Sequence, residues 1–200
     1  EEQYNKLIDN GIYPKYRHTA CSAAVLSYPE TIMDMVRVGI SQYGFWPSME
    51  TYMDVCKNAG DRSVNPLRRI ISWKSKVMST KFVKAGDFIG YGTVFMATRD
   101  TWAATVPVGY ANGFARVLSN SGVALIRGIR ASVIGMVNMN MMMIDTTDIG
   151  ELEKGEEVVL IGPQGQEELT VASFGKMSNL LNYELLTRLP LDIPRYIMES

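Results

Sequence analysis

The polar and apolar positions of residues 1–10 suit an amphipathic helix, which Gly11 ends before the turn at Pro14. Residues 16–22 read as an extended or loop segment, and Tyr28-Pro29-Glu30 opens a short helix with proline near its start. The run VRVGISQY over 36–43 reads as a strand flanked by glycine, so this stretch has a βαβ-like rhythm. Over 45–66 aromatic residues occur without a sustained period and the segment closes on Asn65-Pro66, which reads as a linker holding a short helix. From Leu67 the texture changes to short apolar runs at 70–77, 90–97, 102–108, 124–126, 132–137, 141–145 and 158–161. Turn residues such as Lys84-Ala85-Gly86-Asp87, Asn112-Gly113 and Gly162-Pro163-Gln164-Gly165 separate them, the punctuation of an all-β barrel or sandwich. A helix over 171–181 precedes a closing segment that carries Pro190 and Pro194.

Composition narrows the function classes. With 46% hydrophobic residues in a chain of 200, there is enough apolar material for one or two cores. The 20 Lys and Arg against 21 Asp and Glu leave no basic footprint for nucleic acid, which points to small-molecule or protein partners. Cys21 and Cys56 have neither zinc-site spacing nor the framework of a small secreted domain, and a reducing, cytoplasmic setting is expected. No stretch reaches the length of a membrane span. The absence of an initiator Met, and first residues that read as the middle of a helix, suggest a chain cut from something larger.

Several residues could carry chemistry. The stretch RHTACSAA holds His18, the single histidine, beside hydroxyls and small residues; a lone histidine in a polar loop reads equally as a structural one, and it excludes a histidine-cluster metal site. Gly39, with Ile40, lies just past Arg37, where backbone N–H groups beside a small residue can approach a phosphate, although a glycine at a strand bend is the plainer reading. Tyr91 sits between Gly90 and Gly92, and Tyr110 follows Gly109. A tyrosine so placed acts as a general base if cations lower its pKa from about 10, or is simply a strand-edge residue. Met139 and the run 141–143 read as a strand with a flexible apolar filling.

In their order, the segments HTACSAA, MVRVGISQYG, FIGYGTVF, VPVGYANGFAR, VIGMVNMNMMMID, KGEEVVLIG and LNYELLTRLP with IPR resemble the C-terminal half of the alanine racemase family over essentially the whole chain. The resemblance implies an α+β chain: the terminal portion of a (β/α)8 barrel over 1–56, a linker over 57–66, and a mainly β, barrel-like C-terminal domain over 67–200. It implies pyridoxal 5'-phosphate as cofactor and the interconversion of L- and D-alanine, which supplies D-alanine for peptidoglycan. Serine racemisation, or a non-catalytic fragment that binds another racemase chain, are the alternatives.

By the same resemblance Arg37 hydrogen-bonds the cofactor's pyridine nitrogen, with His18 buttressing Arg37. Ser22, Gly39, Ile40 and Tyr183 bind its phosphate. Tyr91 is the base for one face of the α-carbon, supplied across a dimer interface. Tyr110 and Arg116 line the entrance, and the Met139 backbone N–H meets the substrate carboxylate. Tyr183 favours a small side-chain pocket and so alanine. The chain departs from the family at Cys21 where Asn is usual, at Val38 where Pro is usual, and at Asn112 and Asn140 where Asp is usual; at 138 it has Asn where Cys is usual. None of its lysines matches the one that holds the cofactor, so the resemblance implies a homodimer or a complementing racemase half as partner, and no metal.

Overall fold

The computed structural model describes residues 1–59, 65–178 and 182–198. It divides into two units, Glu1–Ile70 and Ile71–Ser200.

In the first unit, helix α1 spans Glu2–Asp9, held on its surface by an ion pair between Glu2 and Lys6 one turn apart. Helix α2 spans Ser22–Ser27, and a single 3-10 turn follows at Pro29–Thr31. Helix α3 spans Met49–Ala59, inside the segment that reads as a linker. Ser48 starts it: its hydroxyl oxygen accepts the Thr51 N–H at 3.2 Å, satisfying one of the donors that a helix start leaves unpaired. Thr51 and Cys56 then form its buried side.

The strand expected over 36–43 is reduced to one parallel bridge between Cys21 and Arg37. Immediately after Cys21 the chain coils into α2, so nothing continues the pairing. Gly39, at φ −110° and ψ −99°, turns the chain into a 3-10 segment, Ile40–Tyr43, which Gly44 ends in the left-handed region.

The second unit is an antiparallel sheet. Its strands are β1 Trp73–Lys76, β2 Ser79–Val83, β3 Thr101–Val106, β4 Val123–Ile126, β5 Ile129–Ile134, β6 Met142–Asp145, β7 Glu157–Gln164 and β8 Glu167–Leu169. The order across the sheet is β1-β7-β4-β5-β6-β3-β2, with β8 beside β7. The two outer strands are neighbours in sequence, and the chain changes partner between adjacent residues. Val77 N–H donates to Glu156 O on the β7 side at 2.8 Å, and Met78 N–H donates to Thr105 O on β3 at 2.8 Å. A single bent segment thus joins the first strand of the order to the last, which closes the sheet into a barrel and leaves no long open edge.

Leu125, Ile126, Ile144, Val158 and Leu160 are fully buried inside. Helix α4, Val171–Ser178, brings Phe174 edge-on to Phe114, ring centres 5.5 Å apart, and Phe114 in turn packs 6.2 Å from Trp73. Helix α5 spans Asn182–Arg188, and residues 179–181 of the helix expected over 171–181 lie outside the described residues.

The apolar run at 90–97 does not form a strand. Gly90 (φ 80°), Gly92 (φ 78°) and Thr93 (φ 51°) take left-handed backbone, so the chain makes a 3-10 turn at Tyr91–Thr93 and only Phe88 and Met96 bridge. Of the methionines read as strand filling, Met142 is buried in β6, whereas Met139 precedes the strand and is exposed. Among the described residues no helix is long and apolar enough to cross a membrane.

Candidate active site

In the first unit the expected cofactor residues gather where the Cys21–Arg37 bridge holds two chain segments side by side. Arg37 N–H donates to Ala20 O at 2.9 Å, which sets the two segments in register. Beyond it, Gly39 N–H donates to the Ser22 hydroxyl oxygen at 2.8 Å. Ser22 is 3% exposed, and accepting that bond leaves its own proton to donate. The Arg37 guanidinium donates to Thr19 O at 3.1 Å, the carbonyl of the residue that follows His18. The imidazole itself makes no hydrogen bond among the described residues. On the other side of His18, Arg17 donates from its backbone N–H to the Asp34 carboxylate at 2.9 Å and receives the Asp34 N–H at its carbonyl. These bonds from Arg17 hold the Asp34 carboxyl below the usual carboxylate range.

Among the described residues, the buried hydroxyl oxygen of Ser41, in the turn after Gly39, has no hydrogen-bond partner, and neither has the buried Trp46 indole nitrogen. Buried polar atoms are normally paired, so two such atoms in one short segment mark a place built to face something else. At Cys21 the exposed thiol accepts from the Ala24 and Ala23 N–H groups at the start of α2, and with a smaller contribution from Arg37 these hold it below the usual thiol range.

In the second unit three loops converge. Tyr110 N–H donates to Asn138 O at 3.0 Å and Ala111 N–H to Met139 O at 2.9 Å, so the loops that carry Tyr110 and Met139 are tied backbone to backbone. Gly109 permits this approach, because a Cβ there would overlap the carbonyl oxygens of Asn138 and Met139. The third loop carries Tyr91. A Cβ on Gly90 would lie 3.8 Å from Gly135 Cα, just upstream of the 138–141 loop, and one on Gly92 would lie 3.5 Å from Met136 Cε. Tyr91 is 74% exposed, presented on the outside of its turn, while Tyr110, Met139 and Tyr183 on α5 are exposed to a lesser degree. Arg116 donates from its guanidinium to the Met136 sulfur at 3.0 Å. The structure therefore brings Tyr91, Tyr110, Arg116 and Met139 to one end of the barrel.

Asn112 has a structural role in this cluster: its amide oxygen accepts the Gly109 N–H at 3.0 Å. A carboxylate would accept the same bond, so asparagine here preserves the turn and removes a charge. Sequence reasoning missed Met136 and Thr93. Neither has a chemical signature in the sequence, since the first matters through its contacts and the second through its φ. Among the described residues no group of His, Cys, Asp and Glu could hold a metal ion.

This arrangement has clear relatives. The sequence pattern described as "Alanine racemase, C-terminal domain" matches residues 70–197. The chain belongs to the alanine racemase family. The pattern described as "Alanine racemase, N-terminal domain" matches residues 1–47. The alanine racemase of Leptospira interrogans is 38% identical over 196 residues, covering 98% of this chain and 48% of that protein. That of Halothermothrix orenii is 36% identical over 179 residues, 90% of this chain and 45% of its own length.

A crystal structure of alanine racemase from Bacillus anthracis with bound L-Ala-P matches with TM-score 0.87 and 33% identity, covering 100% of this chain and 49% of that one. The structure of alanine racemase from Bartonella henselae with covalently bound pyridoxal phosphate matches with TM-score 0.74 and 27% identity, over 92% of this chain and 47% of that one. The chain spans about half the length of the curated relatives it matches. Its fold is that of the C-terminal portion of these alanine racemases, the end of the barrel followed by the β domain.

Proposed function

We propose that the chain contributes to an alanine racemase, interconverting L- and D-alanine with pyridoxal 5'-phosphate in the cytoplasm. The observation that carries the reading is the convergence of Tyr91, Tyr110, Arg116 and Met139 at one end of the barrel, held by the bonds from Tyr110 to Asn138 and from Ala111 to Met139. The relatives named above are alanine racemases, which favours alanine over serine.

The residues of the first unit suit the cofactor. The Ser22 hydroxyl has a proton to give to a phosphate oxygen, beside backbone N–H groups of the Gly39-Ile40 turn, and the buried unpartnered Ser41 oxygen lies in that same turn. Tyr183 is assigned to the same phosphate by its phenol. Arg37, charged at every accessible pH, would donate to the pyridine nitrogen and keep it unprotonated, with His18 beside it. When bound, pyridoxal phosphate supplies the electron sink that acidifies an amino acid's α-proton. Arg37 restrains that sink and so limits side reactions.

Racemisation needs one base on each face of the α-carbon. Tyr91 serves one face, taking or giving the proton at its phenolic oxygen. The Met139 N–H would orient the substrate carboxylate, and Tyr110 and Arg116 would select what enters. The base for the other face would be the cofactor-holding lysine, which by the resemblance none of this chain's lysines matches; the chain spans about half the relatives' length. A C2 homodimer, or assembly with a complementing half, is therefore part of the proposal. Its test is to combine the chain with the N-terminal half of a relative's barrel. Cofactor retained through filtration together with alanine racemisation is the expected result; retention without racemisation would favour a non-catalytic binding chain.

A further inference from the structure

Tyr91 stands on a turn with left-handed backbone on both sides, and one side chain reaches from that turn to Arg116. Met136 is half-buried. Its backbone nitrogen lies 3.8 Å from where a Cβ on Gly90 would sit, and its Cε lies 3.5 Å from where a Cβ on Gly92 would sit. It therefore underlies both residues that flank Tyr91. Its sulfur, at the same time, accepts a hydrogen bond from the Arg116 guanidinium at 3.0 Å.

Its own backbone is held firmly on either side. Gly135 N–H donates to the Asn120 side-chain oxygen at 2.6 Å, and Val137 N–H donates to the Ser119 hydroxyl oxygen at 3.0 Å. The turn above it needs such a support. Thr93 holds φ 51°, which is strained for a β-branched residue, and its hydroxyl donates to the adjacent Gly92 carbonyl.

We infer that Met136 is a positioning residue that couples Arg116 to the turn presenting Tyr91, holding the two at a fixed separation. The inference rests on the function proposed above for its consequence in catalysis, while the coupling itself concerns this chain alone. A thioether side chain suits this position because it is long enough to reach both neighbours and flexible enough to fit between them. It is also a weak acceptor that leaves the guanidinium its full charge.

The test is amide hydrogen exchange over residues 90–93 in the assembled protein, comparing wild type, Met136→Ala and Met136→Leu. M136A is expected to speed exchange at the turn by about tenfold while β4 and β5 keep their protection, and M136L, which keeps the volume but cannot accept from Arg116, is expected to restore it only in part. In turnover, M136A should lower kcat for alanine more than it raises KM, because the base is displaced and Arg116 at the entrance loses its support. Unchanged exchange over 90–93 in M136A, or exchange in M136L equal to that of the wild type, overturns the inference. If M136A does not fold, Met136→Val makes the same comparison with a shorter apolar side chain. Absence of racemisation in the assembled wild type would count against the proposed function and leave the exchange result to decide the coupling.

Discussion

Gly39 N–H donates to the Ser22 hydroxyl oxygen across 17 residues of sequence, at 2.8 Å. The bond joins the start of α2 to the turn after Arg37, and both ends are proposed to bind the cofactor phosphate. Ser22→Ala removes the proposed donor and leaves the half-buried Gly39 amide without its acceptor, a loss of about 1 kcal/mol. The expected outcome in the assembled protein is cofactor affinity weaker by about tenfold or more, with Ser22→Thr close to wild type. Equilibrium dialysis against pyridoxal phosphate measures it, and equal affinity in all three would remove Ser22 from the phosphate site.

Gly109→Ala is expected to separate the loops that carry Tyr110 and Met139, because the new methyl would overlap two carbonyl oxygens. Forcing that overlap costs about 1–3 kcal/mol. The thermal midpoint should fall by several degrees, about 2–8 °C, more than for alanine substituted at Gly86, which meets no atom but sits at φ 92°, a backbone penalty that Gly109 at φ −146° does not carry. Differential scanning calorimetry of the pair separates overlap from backbone strain.

The acid side of the stability curve has an identifiable contributor. Arg127 donates to the Glu156 carboxylate at 2.7 Å, and with the Glu153 N–H holds that carboxyl below the usual range. A carboxyl lowered on folding contributes stability that is fully present above its unfolded value and is lost as pH falls through its folded value. Arg127→Ala should therefore reduce the dependence of stability on pH in the acid range: the variant is less stable above the carboxylate range, and the two proteins converge as pH falls through the folded value of Glu156. Urea titrations at a series of pH values check this; a stability difference that stays the same from neutral pH to below the carboxylate range would refute it.

Cys21 and Cys56 should differ in reactivity. The Ala24 and Ala23 N–H groups stabilise the Cys21 thiolate, and this thiol is exposed, whereas Cys56 is buried on α3. Alkylation of the native protein near neutral pH, followed by peptide mass mapping, is expected to label Cys21 well before Cys56. Equal labelling of the two would mean that the α2 amides do not act on the thiol.

Much of the barrel was legible from apolar runs. Strands β3, β4, β6 and β7 are short stretches of Val, Ala, Ile, Leu or Met bounded by turn residues, and their ends lie within three residues of where the pattern places them. Strand β2 was not, because STKFV puts Lys81 and two hydroxyls among few apolar residues and is held by pairing with β3 along its length. The segment 90–97 misleads in the opposite way: its Val, Phe and Met suit a strand, but Gly90, Gly92 and Thr93 adopt backbone that no strand can hold.

The first unit shows the same limit, where 36–43 lacks a partner because Cys21 leads directly into a helix. For the site, Tyr91 and Tyr110 stand out by their flanking glycines, but their roles, and any role for Met139 beyond apolar filling, come only through the family resemblance. That they meet depends on Gly109 and Gly135 letting backbones touch, which no local pattern encodes. Met136 has no feature in the sequence at all; its contacts appear only in three dimensions.

The central claim is that Tyr91 exchanges the α-proton on one face of the substrate. It is tested most directly by deuterium exchange from solvent into each alanine enantiomer, with the chain assembled with its complementing half and Tyr91 replaced by Phe. The account predicts that Y91F keeps the fold and the cofactor, loses racemisation by about 10²–10⁴-fold, and still exchanges the α-proton of one enantiomer, through the base on the other face. Exchange of both enantiomers with racemisation at the wild-type rate would contradict it.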